Sequence, residues 1–304
     1  MNNLKVLIVG AGAVGIYFGS KFSRMGIQVT FLERSEYLDG IRADGLKVIS
    51  EIEQNSHYHP VVTDSLMGMG PQDLVLVCVK ASETYEAAIS LLPILSPSTM
   101  VLSLQNGIEN EDILTKIVGN NLVIGTVLRF RGVFKTPDTM VQLAPTKLIF
   151  GEFEQKGSKR EKYLSEIFTY VDIDHEITPS IKKEIWKKFL WDNAINPVCA
   201  VSGKTIEKVM KCTYSSDLVM SMMMEVQMIA EAEGVVIEEQ EVNSLLHSFT
   251  PSPNLKAAMH NDLEEGKKLE IDPFLGYVLK KAKSYEISVP VNQALFNLLM
   301  LLDT

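Results

Sequence analysis

The spacing of hydrophobic residues divides the chain into two parts. In the first part, short apolar runs alternate with amphipathic stretches, a pattern typical of buried parallel strands joined by helices. The clearest predicted strands are residues 4–9, 27–32, 73–79 and 100–104. From residue 179 onwards only helical spacing recurs. We therefore predict an α/β domain over residues 1–178 and an all-helical domain over residues 179–304.

Weaker signals extend the predicted sheet of the first domain. Helices are predicted at residues 16–25, 82–92 and 158–170, the first of them closed by Gly26. Further strands are predicted at residues 46–50, 123–133, 141–143, 147–151 and 171–177. Because the last four lie close together in sequence, we expect antiparallel additions to one side of the sheet.

The second domain is predicted to begin with a helix over residues 181–195 that ends near Pro197. Later helices are predicted at residues 217–233, 238–249, 255–265, 272–285 and 292–302, with Pro251 and Pro253 separating two of them. The helix at 217–233 carries five methionines, which we interpret as flexible core residues: Met220, Met222, Met223, Met224 and Met228.

Composition and charge narrow the class of protein. The 304 residues are 46% hydrophobic and 22% charged, as in an ordinary globular protein with a substantial core. The net charge of −9 argues against nucleic acid or an anionic membrane as the main partner. No stretch approaches the ~20 apolar residues of a membrane span. Three cysteines without a paired framework suit a reducing compartment, so we expect a cytoplasmic protein, and the sequence is compatible with a homodimer.

A glycine-rich loop follows the first predicted strand. Its six residues match the pattern GxGxxG; they are Gly10, Ala11, Gly12, Ala13, Val14 and Gly15. A predicted helix, a second predicted strand and Glu33 follow the loop. In a dinucleotide-binding loop the first glycine allows the tight turn, the second lets the pyrophosphate approach, and the third lets helix and strand pack closely. The helix N-terminus then offers free N–H groups to the phosphates. The first domain is therefore predicted to be a Rossmann-type dinucleotide-binding domain.

Two residues at the end of the second strand point to different cofactors. Glu33 is suited to bind the adenosine ribose hydroxyls, which favours NAD. The adjacent Arg34 is suited to accept a 2′-phosphate, which favours NADP. These two residues do not decide between NAD and NADP.

Polar side chains follow two further strands of the predicted sheet. Lys80 comes directly after strand 73–79, and Asn106 follows strand 100–104. In an open parallel sheet, the carboxyl ends of the strands hold the ligand crevice. We expect both residues to lie at that edge.

The first helix of the second domain carries a polar stripe. Lys188, Asp192 and Asn196 are spaced i, i+4, i+8 and share one helix face. Such a stripe in an apolar segment is either a solvated edge or the wall of an active site, which we expect in a cleft between the domains. The histidines lack metal-site spacing and are interpreted as surface or loop residues: His57, His59, His175, His247 and His260. No metal site is predicted.

An ordered set of motifs along the whole chain resembles the ketopantoate reductase family. They are GAGAVG at 10–15, Lys80 after DLVLVCV, Gln105-Asn106-Gly107, Trp186 to Phe189 with Asn196-Pro197, Leu269 to Asp272 with Gly276, and Val289-Pro290. The resemblance implies a reductase that transfers hydride from NADPH to the C2 carbonyl of a 2-oxo acid. Ketopantoate, reduced to D-pantoate for pantothenate and coenzyme A synthesis, is the founding substrate.

The resemblance also implies roles for individual residues. The catalytic lysine of the family falls on Lys188 and its catalytic glutamate on Glu270. Lys80 takes the place of a cofactor-contacting lysine, Asn106 that of an asparagine near nicotinamide and substrate, and Asn196 that of a substrate asparagine. Protonated Lys188 would donate a proton to the alkoxide formed by hydride addition.

Three positions depart from the family pattern. Asp192 replaces a substrate asparagine, Ala258 a substrate serine, and Leu269 the common threonine before the glutamate. Related enzymes of the family reduce other branched or aromatic 2-oxo acids to the (R)-2-hydroxy acid, some with NADH, and Glu33 points in the same direction. A 3-hydroxy acid dehydrogenase of similar architecture and a non-catalytic, nucleotide-binding redox regulator are the alternative hypotheses; retention of Lys188 and Glu270 counts against the regulator.

Overall fold

The computed structural model describes residues 3–154, 157–248 and 255–303. The chain forms two compact units. The first consists of Met1–Gln105 and Glu109–Ile181, and the second of Asn106–Ile108 and Lys182–Thr304. A three-residue segment from the first half of the sequence thus belongs to the second unit.

Twelve strands of the described residues form two sheets in the first unit. They are β1 Val6–Val9, β2 Val29–Leu32, β3 Leu46–Ser50, β4 Ser56–Tyr58, β5 Val61–Thr63, β6 Leu74–Val77, β7 Met100–Ser103, β8 Val123–Arg129, β9 Gly132–Thr136, β10 Thr139–Gln142, β11 Lys147–Gly151 and β12 His175–Ile177. The large sheet has the order β12-β11-β8-β7-β6-β1-β2-β5, and the small sheet has the order β4-β3-β10-β9. The six strands from β8 to β5 pair in parallel, as predicted for a Rossmann-type domain.

The later strands only partly follow the prediction of antiparallel additions. β11 pairs antiparallel with β8, but β12 pairs parallel with β11, and β9 and β10 belong to the small sheet. The predicted single strand at 123–133 is in fact β8 and β9. At Gly132 the chain packs so closely that a Cβ atom would lie 2.5 Å from Cζ of Phe130. Because the apolar pattern continues through this bend, hydrophobicity alone does not predict where β8 ends and β9 begins.

Helices cover both faces of the large sheet. They are α1 Ala13–Arg24, α2 Ser35–Asp44, α3 Thr84–Leu91, α4 Asn110–Val118 and α5 Lys159–Tyr170. On β1, Val6 and Ile8 face one core with side chains of α1 and α5, whereas Leu7 and Val9 face a second core with side chains of α3 and α4. Because strand side chains alternate and both faces are buried, the strand sequences are continuously apolar.

The described part of the second unit is helical. Its helices are α6 Ile181–Ser202, α7 Ile206–Lys211, α8 Thr213–Ala232, α9 Glu239–Ser248, α10 Ala258–Glu264, α11 Tyr277–Tyr285 and α12 Pro290–Leu302. A π-helical turn, Asp272–Gly276, precedes α11. Pro251 and Pro253 lie outside the described residues. On α8, Met222 and Met223 are buried as predicted for core residues, whereas Met224 and Met228 are exposed, so that interpretation was wrong for them.

The prediction that the first helix ends near Pro197 is wrong, because α6 runs through it to Ser202. Proline removes one backbone hydrogen bond but has a helical φ. On both sides of Pro197 the helix is buried, through Ile195, Val198 and Cys199. Burial of these side chains stabilises the helix across the missing bond. Among the described helices, none is long and apolar enough to cross a membrane.

Candidate active site

The glycine loop between β1 and α1 has the geometry that its sequence predicts. Gly10 has a φ of +98°, and a Cβ atom on Gly15 would lie 2.2 Å from the carbonyl oxygen of Gly10. These two glycines are required by the turn itself. Gly12 is different: a Cβ atom there would meet only the Cys78 carbonyl oxygen, at 3.6 Å. The open space beside Gly12 fits the close approach of a ligand.

Helix α1 begins within the six-residue motif, at Ala13. Its N-cap residue Gly12 provides no side-chain hydrogen bond to the first turn, and no acidic residue lies in that turn. The N–H groups of the first turn and the positive end of the helix dipole are therefore available to an anion. Loop and helix together fit the pyrophosphate of a dinucleotide, the group that the sequence predicts.

Glu33 lies against the glycine loop. Its Oε2 atom accepts a hydrogen bond of 2.5 Å from the N–H of Ala11, and its Oε1 atom accepts one of 2.8 Å from the N–H of Arg34. The Arg34 side chain turns to Glu83 and forms an ion pair with it. The carboxylate of Glu83 raises the pKa of this guanidinium. A carboxylate therefore faces the loop, while the neighbouring cation is already paired with a second carboxylate.

The ends of β6 and β7 are tied together by Gln105. Its Nε2 atom lies within hydrogen-bond distance of the carbonyl oxygens of Val79 and Lys80, at 3.0 and 3.2 Å, and of Thr84 Oγ1, at 2.8 Å. Lys80 follows β6 as predicted and is exposed. Gln105 lies in one of the motifs that resemble the family, but no role was predicted for it. Its position directly after a central parallel strand indicates such a role.

Three polar side chains of α6 and Asn106 form a polar cluster in the second unit. Lys188 Nζ donates a hydrogen bond of 2.7 Å to Asn106 Oδ1 and forms an ion pair with Asp192 Oδ2. The side chains of Lys188 and Asp192 are 22% and 19% exposed, so the pair is partly but not fully desolvated. The i, i+4 spacing on α6 brings the two charges together, as the helical period predicts.

Asn196 connects the stripe to α10. Its Nδ2 atom donates to the carbonyl oxygen of Asp192 at 2.9 Å, and its Oδ1 atom accepts from the N–H of Met259 at 3.4 Å. Met259 follows Ala258, the position of the family serine, at the start of α10. Asn196 is buried. Its contacts hold the beginning of α10 beside the polar stripe.

Glu270 lies between α10 and the π-helical turn, in an irregular segment, and is half-buried. Its neighbour Leu269 is buried, and the N–H of Leu269 donates to Asp303 Oδ1 at 2.9 Å. The segment that presents Glu270 is therefore held at the C-terminal end of α12.

The interpretation of the histidines as surface or loop residues is confirmed for His57 and His59, which are exposed, but it is wrong for His260. His260 is 3% exposed on α10, with Nδ1 3.2 Å from the Lys204 carbonyl oxygen and Nε2 3.2 Å from Glu264 Oε1. A histidine at helical spacing with acceptors at both ring nitrogens can be buried, which sequence spacing alone does not reveal. Within the described residues, no three His, Cys, Asp or Glu side chains are grouped as metal ligands.

Comparison with protein families gives two successive matches that together cover most of the chain. Residues 6–155 match the family described as ketopantoate reductase PanE/ApbA, and residues 180–303 match its C-terminal domain.

Curated relatives match over nearly their whole length. A 2-dehydropantoate 2-reductase of Pyrococcus abyssi is 27% identical over 300 residues, which cover 97% of both chains. An uncharacterised oxidoreductase of Bacillus subtilis, YkpB, is 24% identical over 96% of this chain and 97% of its own.

Solved structures show the same fold. A 2-dehydropantoate 2-reductase of Geobacter metallireducens is 30% identical with a TM-score of 0.85, covering 98% of this chain and 99% of its own. A PanE/ApbA family ketopantoate reductase of Ralstonia eutropha has a TM-score of 0.87 at 26% identity, covering 99% and 98%. A D-mandelate dehydrogenase in a ternary structure with NADH and anilino(oxo)acetate shares the fold, with a TM-score of 0.90 at 19% identity over 99% and 98%.

Proposed function

Since the chain belongs to the ketopantoate reductase family of oxidoreductases, we propose that it reduces the C2 carbonyl of a 2-oxo acid to the (R)-2-hydroxy acid. The observation that carries this proposal is the placement of Lys188. Its ammonium group is held by Asn106 Oδ1 at 2.7 Å and by Asp192 on a partly exposed helix face. A lysine held in place by two acceptors keeps its third N–H free for a reacting oxygen.

Lys188 is the proton donor of the proposed reaction. A reduced nicotinamide, when bound, supplies the hydride that adds to C2. The carbonyl oxygen becomes an alkoxide, and Lys188 Nζ transfers a proton to it and is reprotonated from solvent. Such a positioned acid contributes about 10²–10⁴-fold to the rate. Glu270 is the second catalytic residue of the proposal and orients the lysine or binds a substrate hydroxyl.

The amide side chains are proposed to bind the substrate. Asn106 and Asn196 are neutral, so they donate to the carboxylate or carbonyl oxygen without an opposing charge. Asp192 lies on the same face as a carboxylate. Its pairing with Lys188 lowers the repulsion toward an anionic substrate but does not remove it.

Ketopantoate is the family default for the substrate. The three departures at Asp192, Ala258 and Leu269 favour a different branched or aromatic 2-oxo acid as the substrate. The protein would then be a D-2-hydroxyacid dehydrogenase of the same family. The carboxylate of Asp192 supports this second candidate, because it takes the place of a neutral amide beside Lys188.

For the cofactor we propose NADH over NADPH. The Gly10–Gly15 loop would bind the pyrophosphate, and Lys80 would contact the same cofactor. Glu33 beside Ala11 is placed to accept hydrogen bonds from ribose hydroxyls and would repel a 2′-phosphate. Arg34, the cation that would attract this phosphate, is paired with Glu83. The three free cysteines suit a cytoplasmic enzyme.

The proposal is tested by following the oxidation of NADH and NADPH in parallel with ketopantoate, ketoisovalerate, ketoisocaproate and benzoylformate. We expect turnover with at least one acid and a higher kcat/KM with NADH. Binding of the cofactor in calorimetry without turnover of any acid would overturn the proposal and leave the regulator as the better account.

A further inference from the structure

The apolar surroundings of α6 do not by themselves define its rotation. Buried apolar side chains occur around its whole circumference, since consecutive residues differ by about 100° in direction. Such side chains include Phe189, Leu190, Trp191, Ala194 and Ile195. Apolar contacts distributed in this way constrain the rotation of a helix about its axis only weakly. The placement of Lys188 therefore needs another determinant.

One polar side chain of α6 is buried away from the catalytic stripe. Asn193 is 0% exposed, and its Nδ2 atom donates a hydrogen bond of 2.7 Å to Oδ1 of Asn292 on α12. Asn193 lies about 100° from Asp192 around the helix. Asn292 is also 0% exposed. A directional bond between two buried amides has few alternative positions, unlike an apolar contact.

Asn292 is itself held in one orientation by α8. Its Nδ2 atom donates to Glu225 Oε2 at 2.7 Å and lies 3.3 Å from the Met222 carbonyl oxygen. Glu225 also accepts from the backbone N–H groups of Val291 and Asn292, both at 2.9 Å. A buried carboxylate thus caps the start of α12 and fixes the amide whose oxygen meets Asn193.

From these contacts we propose that Asn193, Asn292 and Glu225 form a buried polar key that sets the rotation of α6 and so places Lys188 beside Asn106. The inference rests on the proposed function for its kinetic consequences. With side chains, a helix has a radius of about 5–6 Å, so a rotation of ~10° moves a side-chain tip by ~1 Å. A misplacement of this size costs about 100-fold in rate.

The key is poorly suited to a purely stabilising role. Oδ1 of Asn193 is buried and has no partner among the described residues. Replacing Asn193 by leucine removes this unpaired acceptor but leaves Asn292 Oδ1 unpaired, so one buried acceptor without a partner remains in either case. The substitution is therefore expected to change Tm by no more than about 4 °C. Position, rather than stability, is what the residue provides.

The experiment compares wild type with Asn193→Leu, and with Asn193→Ser in case the leucine variant fails to fold. Both variants should lose at least 10-fold in kcat while KM for the cofactor stays unchanged. The primary isotope effect with deuterated NADH should rise, because hydride transfer becomes slower. Ile195→Val is the matched control on α6: it removes one buried methyl group, lowers Tm and keeps kcat and the isotope effect.

Crystal structures of wild type and variant give a readout that does not depend on turnover. The proposal predicts that Lys188 Nζ leaves the 2.7 Å contact with Asn106 Oδ1 by about 1 Å or more, or takes several positions, in the variant. A variant in which Lys188 superposes on the wild type overturns the key, whatever the activity. If wild type turns over no acid, the proposed function fails and the structures alone decide on the key.

Discussion

Nζ of Lys188 lies 2.7 Å from Oδ1 of Asn106, a residue 82 positions earlier in the chain. Asn106 follows the last central strand predicted from the sequence, yet residues 106–108 belong to the same compact unit as α6. The lysine and the amide are thus held in one body. A neutral acceptor and a carboxylate therefore fix the position of the Lys188 ammonium group.

Removing the amine of Lys188 should abolish most catalysis. We expect Lys188→Ala to lower kcat by about 10²–10⁴-fold, because the alkoxide then has no positioned proton donor. Binding of the cofactor should be unchanged in calorimetry. The matched control is Lys187→Ala, which removes the neighbouring amine and its ion pairs with Glu184 and Glu241. Equal losses in both variants would argue that the charge of α6, and not the Lys188 amine, matters.

Replacing Asp192 by the neutral amide should improve binding of small 2-oxo acids. In Asp192→Asn we expect KM for ketopantoate to fall by about 10-fold, which corresponds to ~1.4 kcal/mol of removed repulsion. This repulsion is smaller than the ~4 kcal/mol between two unit charges 4 Å apart at an effective dielectric constant of ~20, because Lys188 already neutralises part of the Asp192 charge. Steady-state kinetics over the acid panel measure the effect. A rise in KM for every acid would mean that Asp192 itself binds the substrate.

Two carboxylates should control the choice between NADH and NADPH. Glu33→Ser removes the charge beside Ala11, and Glu83→Gln releases the Arg34 side chain. Each change should lower KM for NADPH relative to NADH, by about 10-fold or more when they are combined. Glu86→Gln, on the exposed surface of α3, is the control and should leave the ratio unchanged. A combined variant with the wild-type ratio would contradict the proposed role of Glu33.

Stability at low pH should depend on Glu241. Burial raises the pKa of this carboxyl, but hydrogen bonds from Lys183, the Glu238 N–H and Lys187 outweigh burial and lower it to about 2. In the unfolded chain the pKa is about 4.3, so the stabilisation is present above that pH and is lost as the pH falls toward 2. Thermal melts should show a Tm difference between wild type and Glu241→Gln above pH ~5 that shrinks on acidification. A difference independent of pH would assign the effect to packing.

The sequence predicted the parts of the fold that depend on local pattern. The apolar runs at β1, β6 and β7 are buried on both faces, so their position in a parallel sheet follows from composition. The stripe of Lys188 and Asp192 follows from the helical period. The glycine loop follows from the turn it must make.

The remaining features depend on contacts that no local pattern encodes. The continuation of α6 through Pro197 depends on buried side chains on both sides of the proline. The burial of His260 depends on the acceptor atoms that Lys204 and Glu264 place beside its ring nitrogens. The role of Gln105 in tying two strand ends, and the bond between Asn193 and Asn292, join residues far apart in sequence.

Hydride transfer to C2 of a 2-oxo acid is tested most directly by the fate of deuterium carried by the cofactor. Enzyme, NADH carrying deuterium at both C4 positions and each acid of the panel are incubated, and the products are analysed by mass spectrometry. We expect a 2-hydroxy acid with one deuterium on C2 for at least one acid, and no deuterated product with Lys188→Ala on the same timescale. Recovery of every acid unreduced, with the cofactor bound but intact, would contradict it.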